Sequence, residues 1–227
     1  MKPSHSSRGV SSTVFILLMI IVAASGAGAQ VINNSLASKQ VVIRKVVILP
    51  AKVDIVRSGM KGPEGMAAES DELSSRVQAS VAAILADKKH ISRGESSLAG
   101  GSDANFRIAD IQAKFDDLLP KIAKKKNDVK TGRFTLGDEI ANLGVEKGTD
   151  AIVFIRGSGQ ALTSGKKAFN ILVGGTPAYL SMEIVFVDAH SGEVLAYAPT
   201  AFAGDPTTAV DKVRKSIEKG LKKIPAN

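Results

Sequence analysis

Candidates for chemistry are sparse in this chain. Past its first thirty residues it has two histidines, His90 and His190, and it has no cysteine at all. That excludes a thiol nucleophile, Cys-ligated zinc and an iron–sulfur cluster. Two histidines a hundred residues apart offer no metal-ligand spacing. His190 stands beside Asp188, as a relay to an activated serine would require. Yet Asp188-Ala189-His190-Ser191-Gly192 has the composition of a hairpin turn, where such a pair is solvated. Gly157-Ser158-Gly159, with Gly165-Lys166 downstream, has the residues of a phosphate loop without its spacing. A Walker A loop holds four residues between its glycines and a hydroxyl after the lysine. Here five residues separate Gly159 from Gly165, Lys167 takes the hydroxyl position, and no helix pattern follows. The stretch reads as a glycine-rich strand connection, as does Gly174-Gly175 before Thr176-Pro177. A nucleophile elbow is excluded at Ser158, because Arg156 stands where its first glycine belongs. The acidic pairs Asp71-Glu72 and Asp116-Asp117 fall on polar helix faces and read as solvated charge. No catalytic residue, metal site or cofactor is implied.

Lysines are the remaining candidates. Lys121, Lys124, Lys125, Lys126 and Lys130 form one run, and Lys212, Lys215, Lys219, Lys222 and Lys223 line the last helix. Together they would make an anion-binding surface for lipid headgroups or cell-wall polymer. The competing reading is the wet side of amphipathic helices. No aromatic residue interleaves them, which argues against stacking on nucleic acid, so no nucleic-acid partner is expected.

The elements that would position these residues are legible in part. Val41 to Pro50 is a β-branched run ending at proline, as a buried strand does, unless Arg44 and Lys45 split it, and Lys52 to Val56 alternates as its extended continuation. Residues 58–66 read as loop. Ser70 is placed to cap a helix carrying Leu73, Val77, Val81, Ile84 and Leu85 on one stripe, with Lys88 and Lys89 at its end. A Ser- and Gly-rich loop over 91–104 leads to a second helix, Ala104 to Leu119, with Ile108, Ile111, Phe115 and Leu118 inward and Pro120 breaking it. Thr135 and Asp138 would cap a third helix ending at Gly144. Ala151–Ile155 and Tyr179–Val187 are continuous apolar strands, and Gly192 returns the chain into Glu193–Tyr197. Asp205-Pro206 opens a last helix with Val210, Val213, Ile217, Leu221 and Ile224 inward. The expected fold is α/β: a single small mixed sheet of four or five strands covered by three to four helices.

The address is written in the first thirty residues. Lys2 and Arg8 precede an apolar run, Val14 to Ala24, and Ala27-Gly28-Ala29 has the form of a cleavage site. The run is about half the 20 or so apolar residues that a bilayer-spanning helix needs. Residues 1–29 are therefore expected to be a signal peptide, 30–44 a polar leader, and 45–227 one domain. Asn33-Asn34-Ser35 in the leader has the form of a glycosylation sequon. Roughly 200 residues remain, enough for one well-cored domain. Aromatics are only 4% with no Trp, so the core must be aliphatic. The net charge is +8, two units of it from Lys2 and Arg8.

The order of elements resembles a family of bacterial envelope α/β domains that includes the periplasmic domains of CsgG, LpoB and the N-terminal domain of TolB. Lys45-Val46-Val47-Ile48-Leu49-Pro50 is similar to that family's opening strand. Gly148 to Ile155 is similar to its strand entry, and Val187 to Val194 to its hairpin. The resemblance implies a domain that binds other envelope proteins and has no catalytic site. It departs at two points: many members are lipoproteins, whereas this chain has no cysteine to carry a lipid, and the 91–133 segment is longer and more helical than a minimal member needs. The expected protein is thus exported, periplasmic or extracellular, and a non-enzymatic interaction or assembly module whose partners are other cell-envelope proteins. The alternative is a peripheral binder of anionic lipid or cell-wall polymer.

Overall fold

The computed structural model describes residues 29–94 and 102–226. The expected signal peptide, apart from Ala29, lies outside the described residues. The strands are β1 (Val31–Ile32), β2 (Lys45–Ile48), β3 (Lys52–Gly59), β4 (Gly62–Gly65), β5 (Ser92–Arg93), β6 (Ala151–Leu162), β7 (Tyr179–Asp188) and β8 (Val194–Ala203). They form one mixed sheet in the order β1-β8-β7-β6-β2-β5. β6 pairs antiparallel with β7 from Ala151↔Asp188 to Gln160↔Tyr179. Along its other edge β2 and β3 lie end to end, both parallel to it.

The sheet has eight strands rather than four or five. The additions are β1, β4 and β5, of two to four residues, too short to show a period of two. Residues 58–66 are not loop: β3 runs to Gly59, turns at Met60-Lys61 and returns as β4, with Ser58 opposite Pro63. The proline is tolerated because β4 is an edge strand. The leader joins the sheet, Val31 pairing with Tyr197. Asn33 of the sequon is buried, and its side-chain amide donates to Glu193 Oε1.

Among the described residues six α-helices stand where three to four were expected: α1 (Asn34–Ala37), α2 (Ala67–Lys89), α3 (Ser102–Lys124), α4 (Lys126–Lys130), α5 (Ser164–Val173) and α6 (Val210–Gly220). A 3-10 turn covers Asp138–Leu143, where a third helix was expected, and ends at Gly144 in the left-handed region. Thr135 lies outside it, its hydroxyl accepting from Gly137 N. α2 and α6 cover one face of the sheet, where Val77, Val81, Ile217 and Leu221 pack with Val153, Ile155 and Ile184. α3, α4 and the 3-10 turn cover part of the other, where Phe115, Ile122 and Ile140 pack with Ile152, Phe154 and Val185.

Four helix boundaries differ from expectation. α2 starts at Ala67, so Ser70 lies within it, and its hydroxyl accepts from Ile55 N at 2.9 Å. Ser74 does the same for Val53 N, so side chains of α2 satisfy the outer edge of β3 where no strand pairs with it. α3 continues through Pro120 to Lys124, because Leu119 and Ile122 on either side are both buried. α5 is a helix where a glycine-rich connection was expected. Thr163 caps its start, accepting from Lys166 N, and Gly174 at φ 69° ends it. α6 begins at Val210, which is exposed, whereas Asp205-Pro206 forms a turn.

The two faces of β6 make opposite demands. A Cβ on Gly159 would sit 2.8 Å from both Ile55 Cδ1 and Tyr179 O. Neighbouring Ser158, on the other face, is exposed. Gly159→Val is expected to cost about 2–3 kcal/mol by overpacking. Ser158→Val should stay within about 0.5 kcal/mol. Urea midpoints at constant slope check both.

Candidate functional site

The helical cover stops short on the α3 side of the sheet. Along β6 the side chains on that face run Ile152, Phe154, Arg156, Ser158 and Gln160, turning from apolar to polar midway. The strand register brings Glu183 opposite Arg156, Ser181 opposite Ser158, and Tyr179 opposite Gln160. On the other edge Lys52 and Asp54 align with Arg156 and Ser158. Lys52, Asp54, Val56, Ser158, Tyr179, Ala201 and Ala203 of this surface are all exposed. Half of one sheet face is open.

Beside the flank of α3 at Asp116 and Leu119 lies a cleft of about 300 Å³, lined also by Lys52, Asp54, Arg156, Ser158 and Glu183 among others. Arg156 is its buried member, 8% exposed. Its Nε donates to Asp116 Oδ1, its Nη1 donates to Ile155 O, and its guanidinium lies 5.4 Å from the Phe115 ring centroid. Asp116 is solvated on one side, as expected of a helix-face charge, and on the other it compensates an arginine that β6 carries under α3. Glu183 accepts from Tyr197 OH at 2.7 Å. Burial first, and then that hydrogen bond, hold the Tyr197 phenol above its ordinary range. Lys52 and Asp54 form no ion pair among the described residues. The cleft thus offers both signs of charge on a rigid sheet, two of them uncommitted.

The candidate lysines are divided by the sheet. Lys121, Lys124, Lys125, Lys126 and Lys130 lie on α3, α4 and their junction, on the partly covered face. Lys212, Lys215, Lys219, Lys222 and Lys223 lie on or just after α6, in the opposite layer. They make two surfaces, not one. In the first, Lys124, Lys125 and Lys126 gather with Arg133 and Asp128 around a shallow depression. Lys126 Nζ also lies 6.0 Å from the Tyr197 ring centroid. In the second, Lys89 donates to the Lys222 carbonyl and Lys88 pairs with Glu218, which holds that carboxyl below its ordinary range.

His90 caps the end of α2 in the left-handed region, and His190 projects from the hairpin turn. Among the described residues no group of three His, Cys, Asp or Glu is placed to hold a metal ion. Sequence reasoning missed Arg156, Asp116, Glu183 and Tyr197 as a set. The one local signal was a charged residue closing the apolar run of β6.

No protein-family model matches the chain, and neither does any curated protein. Among solved structures it is similar to the PelC dodecamer from Paraburkholderia phytofirmans at 11% identity and a TM-score of 0.41, over 88% of this chain and 96% of that one. It is also similar to lipoprotein GNA1162 from Neisseria meningitidis, at 11% identity and a TM-score of 0.37, over 79% of this chain and 97% of that one. The LpoB C-terminal domain from Salmonella enterica follows at 12% identity and a TM-score of 0.27, over 76% of this chain and 96% of that one.

Two outcomes are expected. Asp116→Ala strands a buried guanidinium and should cost about 2 kcal/mol, less than a fully buried pair because Asp116 is partly solvated. Asp117→Ala, next to it, should be nearly neutral in the same denaturation measurement. For Tyr197, the folded state keeps its proton where the unfolded state releases it, so stability falls as pH rises above about 10. In a Tyr179→Phe background, phenolate absorbance should appear only as the native circular dichroism is lost. Tyr197→Phe should remove that part of the slope.

Proposed function

We propose that the chain is an exported, non-enzymatic interaction module of the bacterial cell envelope, and that the open half of its sheet receives another envelope protein. In this reading residues 1–29 direct export, and one α/β domain follows. The observation that carries it is the bare surface over β3, β6, β7 and β8, beside a cleft with charges of both signs. A polyanion would favour a field of one sign. Lys52 and Arg156 set among Asp54, Asp116 and Glu183 instead suit the mixed polar contacts of a protein interface. The carboxylates there are poor candidates for acid–base chemistry, since Asp116 is committed to Arg156, Glu183 to Tyr197, and Asp54 is exposed to solvent.

A second reading, a peripheral binder of anionic lipid or cell-wall polymer, is favoured by Lys124, Lys125, Lys126 and Arg133 around their depression. A photo-crosslinking residue at Ser158 separates the two in the native envelope. One or two reproducible protein adducts, retained at high salt, support the sheet-face reading. Absence of protein adducts at Ser158, with lipid or polymer captured instead by a crosslinking residue at Lys125 and lost as salt rises, overturns it in favour of the lysines.

A further inference from the structure

α5 is packed inside out. Its buried residue is the polar Asn170, whose side-chain amide donates to Thr176 O at 2.7 Å across the turn back into β7. The apolar residues face water: Phe169 is 43% exposed, Ile171 76%, Leu172 84% and Val173 59%. A helix of a solvated surface has the reverse arrangement, and a contiguous exposed apolar patch marks a contact surface. The adjacent hairpin repeats the pattern. It turns at Met60-Lys61 with Met60 65% exposed, and it is tied to the start of α5 by Thr163 N donating to Ser58 O. Two protrusions at one end of the sheet therefore present apolar tips.

Charge decides what covers them. Lys166 and Lys167 stand in the first turn of α5 and Lys61 in the hairpin, against Glu64 of β4 and Asp205, which lines one pocket with Lys167 and Ile171, so these groups leave a small excess of positive charge. Lys166 Nζ lies 5.4 Å from the Phe169 ring centroid, so cation and apolar side chain share one surface. A second copy seated symmetrically on this end would bring the like charges of both copies together. An anionic lipid surface takes both features at once, apolar side chains at the acyl boundary and ammonium groups at the phosphates. We propose that this end of the molecule, α5 with the Met60-Lys61 turn, seats on an anionic lipid bilayer. The seat is separate from both lysine surfaces considered above, and it does not depend on what docks on the open sheet.

The chain has no tryptophan, so Leu172→Trp in the full chain reports from this site alone. Vesicles of phosphatidylcholine with phosphatidylglycerol should shift its emission to the blue, and brominated acyl chains should quench it. Phosphatidylcholine alone should do neither, and Phe106→Trp, exposed on α3, should stay unquenched throughout. In a Trp-free pair, Ile171→Asp with Leu172→Asp should lower partition onto the anionic vesicles by on the order of tenfold. Unshifted emission with both vesicle types overturns the proposal, as does equal quenching at both positions or unchanged partition of the double variant. A blue shift without lipid that grows with protein concentration overturns it in favour of a second copy. The Trp readout reports α5 and the Ser158 crosslink reports the sheet, so failure of one leaves the other standing.

Discussion

β6 runs through twelve residues, roughly 40 Å at the rise of an extended strand, and every layer of the molecule is laid against it. Its first half is buried on both faces, since Ile152 and Phe154 meet α3 while Ala151, Val153 and Ile155 meet the α2 layer. Its second half is buried on one face only. The strand is longer than the cover available on the α3 side, and that mismatch creates the open surface.

The side chains of β6 respond to the change at Arg156. Toward α2 the strand narrows to Gly157, Gly159 and Ala161, because Val53, Ile55 and Met182 already fill the space. Toward the open side it turns polar. Arg156 sits at the boundary and needs Asp116 from α3, since an uncompensated guanidinium there would cost about 2 kcal/mol. The ion pair therefore joins the end of the helical cover to the point where the sheet becomes a surface. Tyr197 and Glu183 make a similar join one strand further on.

What the sequence revealed follows from which forces act locally. The stripe from Leu73 to Leu85 and the turn at Gly192 are set by helical period and by a positive φ, both properties of adjacent residues. The open sheet face was not legible, because Ser158, Glu183 and Lys52 become neighbours only through strand register. α5 escaped notice because its apolar residues point outward and its buried residue is Asn170, so the pattern that identifies a packed helix is absent. Pro120 signalled a break that burial of Leu119 and Ile122 overrides. The extent of the sheet was underestimated because edge strands of two residues take their structure from their partners.

β1 closes the sheet by lying against β8, so the bond from Asn33 to Glu193 spans 160 residues of chain. β6 likewise cannot find β2 until about a hundred intervening residues have been made. A sheet assembled from such distant segments has a large loop-closure entropy to overcome and folds slowly. During synthesis the first strand waits without its partner until β8 has emerged. The edge strand β1 can dock only once β8 has been made, so the sheet closes last at the end of the molecule where the described chain begins.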